Sequence, residues 1–353
     1  MSNRNVLLVE PKYYTQFPPV GLLKFSTYHK QLGDNVLYVK GCVDVNFVPE
    51  LIYVTSLFTW TWKPVWEAIK FYKAQFPEAK IILGGIYASV MPEHAKYSGA
   101  DEVRPGLCDK VESLPLDYSL VPEWDGSILF ASRGCNRKCG FCAVPRIEGA
   151  LCRAHESIKD YVVDSHSRII FFDNNFLFNP YKDKIFDELK EFDKKVDFNQ
   201  GIDARLITED VASKISELKL DSTIRIAYDS SKDGKAVERA IRYLSNVGIS
   251  KRAIFVYTLF NYNDTPADFY ERVKDIMNWG AVSYPMRYEP LSAITKNSYV
   301  SPNWTIEKIE MIQSARRVIG FGGAFPAYEG LVKKINNASG FDEAFELREV
   351  KNK

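Results

Sequence analysis

The sequence predicts an α/β protein, with a doubly wound parallel sheet first and an open six-stranded barrel after it. Two patterns carry this. Short apolar runs alternate with segments of helical period along most of the chain, and such alternation implies parallel strands covered by helices. Between residues 127 and 290 the alternation repeats, with strand-like segments near 127–132, 168–172, 196–200, 223–228, 253–259 and 282–287. Six βα units suit an open barrel, whereas a closed eight-stranded barrel needs more chain. The expected division is 1–112 for the first sheet, 113–126 for a linker, 127–290 for the barrel and 291–353 for a helical extension.

In the first sheet, residues 5–11 read as a short apolar strand ended by Pro11. A helix follows from Gly21, with Leu22, Leu23, Phe25 and Tyr28 on its apolar side and Gly33 at its stop. Residues 36–39 and 51–57 are the next strands. Trp60, Trp62 and Trp66 lead into a helix to about Phe76, and aromatics beside a strand end usually belong to a core. Residues 81–85 form the fourth strand and its glycine turn. Ligands of such sheets sit at the strand carboxyl ends, here Pro11, Ser56 and Gly84-Gly85.

Leu114-Pro115 through Pro122-Glu123 is marked by proline as a linker. Beyond it, Thr208 is placed to cap a helix, with Glu209 and Asp210 in the first turn and Val211, Ile215 and Leu218 on one face. Val237, Ala240, Ile241 and Leu244 form a second stripe, closed by Gly248. Thr265-Pro266 opens a third helix carrying Phe269, Val273 and Ile276, ended at Gly280. Asn303-Trp304-Thr305 then leads into a helix with Ile306, Ile309, Ile312 and Ala315. The glycine-rich Gly320-Phe321-Gly322-Gly323 lacks the Gly-Lys-Ser/Thr ending of a phosphate loop.

Net charge is +1, which offers no general attraction for a polyanion. A small molecule or nucleoside is therefore the expected substrate, and nucleic acid would need a local patch such as Arg316-Arg317 or Lys333-Lys334. No apolar run reaches the ~18 residues of a membrane span, and Met1-Ser2-Asn3-Arg4-Asn5 lacks a signal peptide's apolar region. Three of the cysteines crowd together while Cys42, Cys108 and Cys152 are scattered. That arrangement suits a reducing cytoplasm better than a disulfide framework.

The crowded three are Cys135, Cys139 and Cys142, in a C-x3-C-x-aromatic-C run just past the first barrel strand. Thiolates are the soft ligands that iron–sulfur clusters require, and a short loop lets several face one cluster. Three thiolates leave one iron of a cubane cluster open to another ligand. Zinc is the alternative, with His155 as fourth ligand, although C-x2-C pairs are its usual spacing.

This loop resembles the signature of the radical S-adenosylmethionine (SAM) superfamily, and the resemblance extends over the alternating segments from about 125 to 290. It implies a 4Fe–4S cluster on Cys135, Cys139 and Cys142, SAM on the open iron, and an electron donor such as flavodoxin or ferredoxin. SAM would be cleaved reductively, giving a 5′-deoxyadenosyl radical that takes hydrogen from the substrate. Phe141 matches an aromatic near the adenine. Asp173, beside Asn174, matches the position that holds the methionine ammonium, with an Asp-Asn turn capping the next helix as the other reading. Gln200 and Asp203 would meet ribose hydroxyls, and Arg205 either the SAM carboxylate or Asp203. Arg225, inside an apolar strand, needs a buried anion, for which a SAM or substrate carboxylate is one source. Asp229 stands where many relatives have a Glu-Ser pair. Asn261 lies in the turn that the family makes glycine-rich, and Met286 at the strand end whose backbone reads the adenine.

The first sheet is similar to the cobalamin-binding-type domain preceding many such barrels, through residues 18–23, Leu83-Gly84-Gly85 and Met91-Pro92-Glu93. The cobalt-ligating Asp-x-His-x-x-Gly motif is missing. His29 falls in a predicted helix and His94 near a helix start, both read as surface or capping residues, so cobalamin is not expected. The sheet is expected instead to cover the barrel mouth with Tyr13, Tyr14 and the Trp60–Trp62 segment. A cobalamin-dependent radical methyltransferase is the second reading. A non-catalytic iron–sulfur sensor or binding protein is the third, and the polar strand ends argue against it.

Overall fold

Val6, Leu7, Leu8 and Val9 have no exposed surface, because β1 (Asn5–Glu10) has strands on both edges and helices on both faces. The computed structural model describes residues 3–149, 153–221, 223–320 and 328–346. Strands β2 (Asn35–Lys40), β3 (Leu51–Val54), β4 (Lys80–Leu83) and β5 (Glu102–Val103) join β1 in an all-parallel sheet of order β2-β1-β3-β4-β5. The period-2 alternation divides the core. Val6 and Leu8 pack with Leu22 of α1 (Val20–Gln31), while Leu7 and Val9 pack with Val65 and Ile69 of α2 (Trp62–Gln75). Three short helices follow: α3 (Ile86–Val90), α4 (Pro92–Ala95) and α5 (Asp109–Glu112).

The inward face of α1 differs from the expected stripe. Ser26 and His29 are buried, whereas Phe25 and Tyr28 are half-exposed. Ser26 reaches Asp117 at 2.5 Å, and His29 lies 2.7 Å from Asp34 Oδ2 and 3.2 Å from the Tyr53 hydroxyl. His29, 1% exposed, is thus a buried tie between α1 and β3 and not a surface residue. His94 also packs inward, 2.6 Å from the Tyr87 hydroxyl and against the rings of Trp62 and Trp66. Residues 113–121 dock along α1 through Asp117, whose carboxylate accepts from Lys30 and whose N–H donates to Leu23 O.

In the second half, β6 (Ser127–Leu129) is followed by a small antiparallel pair, β7 (Ser132–Arg133) and β8 (Arg153–Ala154), with α6 (Val144–Ile147) between them. Then strands and helices alternate: β9 (Arg168–Phe171), α7 (Lys182–Phe192), β10 (Lys195–Phe198), α8 (Glu209–Ser216), β11 (Ile224–Ala227), α9 (Gly234–Asn246), β12 (Ile254–Phe260), α10 (Pro266–Asn278) and β13 (Val282–Arg287). The two three-stranded sheets, β6-β9-β10 and β11-β12-β13, are parallel and in chain order. They are tied where Ile202 N–H donates to Arg225 O at 2.8 Å and by a bridge between Val196 and Leu220.

Local signals hold here. Thr208 accepts from Val211 N–H at 3.2 Å, Thr265 and Asp268 form a reciprocal capping box, and Val237, Ala240, Ile241 and Leu244 are buried together on α9. The extension, α11 (Ile306–Gly320), α12 (Tyr328–Asn337) and α13 (Phe341–Phe345), packs Trp304, Ile309 and Ile312 on Phe269 and Val273. Ile306, expected in that stripe, is exposed. Cys152 and Phe321-Gly322-Gly323 lie outside the described residues. No helix among the described residues is long and apolar enough to cross a membrane.

One glycine is required where β4 meets the next turn. Gly85 has φ +96°, and a Cβ there would stand 2.2 Å from Ser56 O. Gly85→Ala is therefore expected to destabilise the protein by about 2 kcal/mol or more, because backbone on both sides must shift. A thermal unfolding midpoint lowered by several degrees checks this, and Gly99→Ala, whose Cβ meets nothing, should cost less.

Candidate functional site

The cysteine loop begins where the β6–β9 ladder stops. Past Leu129 the backbone donors of Ala131 and Ser132 have left the sheet, and Asp173, two residues beyond β9, takes them. Ala131 N–H donates at 2.9 Å, Ser132 N–H at 2.6 Å and the Ser132 hydroxyl at 2.7 Å. Asp173 is 2% exposed, and burial pushes its carboxyl up to about 7 against these three bonds. Both oxygens are thus committed to the base of the loop. The carboxyl does not cap the next helix, and meeting a ligand ammonium, its expected role, would call for a bond beyond these three.

Gly134, at φ +86°, then turns the chain into the loop. Cys135, Cys139 and Cys142 are free thiols, each partly exposed, and Cys142 N–H donates to Cys139 O at 3.1 Å. Burial raises the Cys142 thiol, with Cys139 and Cys135 adding to the rise. Burial also raises Cys139, which Arg137 opposes. The three sulfurs therefore lie within electrostatic reach of one another. Among the described residues no three His, Cys, Asp or Glu side chains are drawn to metal-ligand spacing. Cys135 Sγ accepts from Arg137 N–H at 3.4 Å and Asn175 Nδ2 at 3.7 Å. His155, the candidate fourth zinc ligand, is turned to Tyr161 at 3.3 Å, and burial and then Lys24 lower the pKa of its ring.

Asn175 was not singled out from the sequence. It is 3% exposed, and its amide also reaches Asn136 Oδ1 at 3.2 Å and Asp203 Oδ2 at 3.3 Å. Its carbonyl oxygen Oδ1 is buried without a hydrogen-bond partner. An orphaned acceptor on the residue that touches the Cys135 thiol is a feature that calls for a ligand. Asn174 is committed elsewhere, to Glu148 at 2.9 Å.

The remaining expected residues divide. Asp203 and Arg205 pair with each other at 2.6 Å, which lowers the Asp203 carboxyl in spite of its burial, and Arg137 pairs with Asp233 at 3.1 Å close by. Together these line a shallow pocket with Ile202, Ala227 and Val237. Gln200 is exposed at the end of its strand. Arg225 finds its buried anion within the chain, in Asp197 on β10, so no ligand carboxylate is needed there. Burial raises the Asp229 carboxyl, which accepts from Leu259 N–H at 3.1 Å.

Asn261, buried with φ +66°, donates to Tyr299 O at 3.0 Å and accepts from Ser301 N–H at 2.8 Å. It fastens the segment after β13. Phe141 meets Tyr262 edge-on at 5.6 Å, and Tyr262 continues to Tyr288 at 4.6 Å. The Tyr262 hydroxyl fills the space beside Gly140, 2.6 Å from where a Cβ would stand. Met286 is partly exposed on β13.

The cover formed by the first sheet is narrower than expected. Thr59 donates to Ala293 O at 2.5 Å and Trp62 to Ile294 O at 3.2 Å. Tyr13 packs into the core of its own sheet, and Tyr14 is 80% exposed. The basic patches are also partly committed, since Arg316 donates to the Tyr284 hydroxyl at 2.8 Å and Lys334 to Glu346 O at 2.6 Å.

No protein-family model matches the chain, and no curated protein matches it.

The buried carboxyl gives a pH test. Asp173 titrates near 7 when folded and near its ordinary 3.8 when unfolded, so the folded chain keeps a proton that the unfolded chain releases. Its contribution to stability is complete below pH ~4 and is lost as pH rises through ~7. Denaturant unfolding should show stability falling across this range, with up to about 1.4 kcal/mol per pH unit from this group. Asp173→Asn should remove that component of the slope.

Proposed function

We propose that the protein is a radical SAM enzyme: a partial six-stranded barrel that holds a 4Fe–4S cluster on Cys135, Cys139 and Cys142 and acts on a small molecule or nucleoside. One observation carries this reading. Three unpaired thiols sit on a single loop at the carboxyl ends of parallel strands, beside a buried acceptor, Asn175 Oδ1, that no protein group satisfies. The donor set fits the cluster, since three soft ligands, with no fourth beside them among the described residues, leave one position for SAM. When bound, the cluster supplies the electron that breaks a sulfonium C–S bond, which no side chain can do.

The chain's own groups bind and orient. Asn175 Oδ1 is free to accept from the ammonium of SAM, in place of Asp173, whose oxygens hold the base of the loop. Arg205 and Arg137, each paired with an aspartate, keep the pocket near neutrality. Phe141 and Tyr262 form an aromatic wall on the side of Gly140. Gln200, Asp229 and Met286 keep exposed surface or hydrogen-bonding capacity for the rest of the ligand. In the first sheet, His29 is engaged with Asp34 and Tyr53, and His94 with Tyr87, which supports a reading without a cobalt-bound imidazole.

Anaerobic reconstitution with iron and sulfide, followed by assay of SAM cleavage, tests the proposal. Replacing Cys135, Cys139 and Cys142 by Ala should abolish both the visible absorbance and cleavage, while replacing Cys42, Cys108 and Cys152 together should preserve both. A requirement for the scattered set would overturn the assignment. Asn175→Leu should weaken SAM binding roughly tenfold to a hundredfold, the loss of one charge-assisted bond, with iron content retained.

A further inference from the structure

The cysteine loop leaves Gly134 and returns at Glu148, and these two ends are bonded to each other. The Glu148 carboxylate accepts from Gly134 N–H at 2.8 Å, Arg133 Nη1 at 2.8 Å and Asn174 Nδ2 at 2.9 Å. One side chain therefore closes residues 134–148 into a ring that contains all three thiols, and pins that ring to the end of β9. Arg133 lies 3.2 Å over the Phe130 ring and donates with its Nε to Glu112 at 2.6 Å, which also receives Lys24 of α1 at 3.0 Å. The four charges alternate in sign, sum to zero, and each side chain is 8–15% exposed.

We propose that Glu148 is the positioning residue of the cysteine loop: its carboxylate clasps the loop ends so that the three thiols are carried on one closed ring before any cofactor arrives. This rests on the loop being a cofactor site. The physical case is entropic. An open loop must be ordered when its ligand binds, and that cost weakens binding, whereas a ring closed by charge-assisted bonds is ordered beforehand. The alternating row gives the clasp its strength, because each buried charge has an opposite neighbour and none is left uncompensated.

The test uses the full chain with Glu148→Ala and Glu148→Gln, the second retaining shape and one acceptor oxygen. In metal-free protein, alkylation of Cys135, Cys139 and Cys142 by iodoacetamide, located by peptide mass, should speed up by at least about tenfold in Glu148→Ala, since all three bonds are lost and one charge-assisted bond alone is worth about that factor, with Glu148→Gln between it and wild type. Cys108, outside the ring, is the internal reference and should not change. Hydrogen exchange at the Gly134 amide should accelerate while β9 and β10 keep their protection. Iron taken up at limiting concentration should fall in the same order. Unchanged loop alkylation and iron uptake in folded Glu148→Gln and Glu148→Ala would overturn the clasp. Equal acceleration at Cys108 would overturn it too, by showing general loosening. If wild type itself takes up no iron, the cofactor reading fails, and the alkylation and exchange arms still decide the clasp.

Discussion

The acceptance of two backbone N–H groups by one buried carboxyl, Asp173, is the interaction on which the site depends. A parallel ladder satisfies the backbone only while both strands continue, and β6 leaves its partner early, its last bond being Phe172 N–H to Leu129 O at 2.9 Å. The next donors would be buried orphans, each costing about 1–3 kcal/mol. Asp173 takes those of Ala131 and Ser132, while Asn179 and the His155 backbone donate to Ala131 O. The chain can therefore swing out of the strand array into β7 with its polar groups satisfied. Without that exit the cysteines would continue along the sheet instead of standing in a loop above it.

The strand ends carry charge for two separate purposes, and burial separates them. Arg272 of α10, 2% exposed, donates to Tyr228 O and Leu259 O and pairs with Asp264 at 2.5 Å, binding the ends of β11 and β12 together. Arg225 with Asp197 does the same between β10 and β11. A cation so enclosed requires an anion, and each has one within the chain. Such groups hold the array and have little capacity for a ligand. Asn175 differs because its amide is fully engaged while its carbonyl is not, an imbalance that packing alone does not explain.

Features set by residues a few positions apart were legible in the sequence. The Thr208 and Thr265 caps and the α9 stripe depend on spacing, and the alternation that implied parallel strands did so correctly. Pairings across strands were not legible. That Arg225 needs an anion could be reasoned from its apolar strand, but only the fold brings Asp197 to it. His29 was misread, and Ser26 passed over, because their partners, Asp34 and Asp117, make a polar face suitable for burial. Asp173 stood at the expected strand end, yet the backbone pointed it down to Ser132 and left Asn175, two residues on, against the Cys135 sulfur. Glu148 had no local signal at all, since its partners Arg133 and Gly134 lie on the far side of the loop.

These constraints locate where specificity can arise. The base of the loop is held by Asp173 and its ends by Glu148, so the freedom that remains lies in the turns among Cys135, Cys139 and Cys142. Phe141 is backed by Tyr262, and the close approach at Gly140 leaves that wall no room for a larger residue. The segment after β13 is fastened by Asn261 and touched by Thr59 and Trp62 of the first sheet, so it forms a fixed margin. What stays adjustable are side chains at the strand ends with surface or hydrogen-bonding capacity to spare: Asn175, Gln200, Asp229 and Met286. A change of substrate would be written in these residues, because altering the others would first undo the loop that carries the thiols.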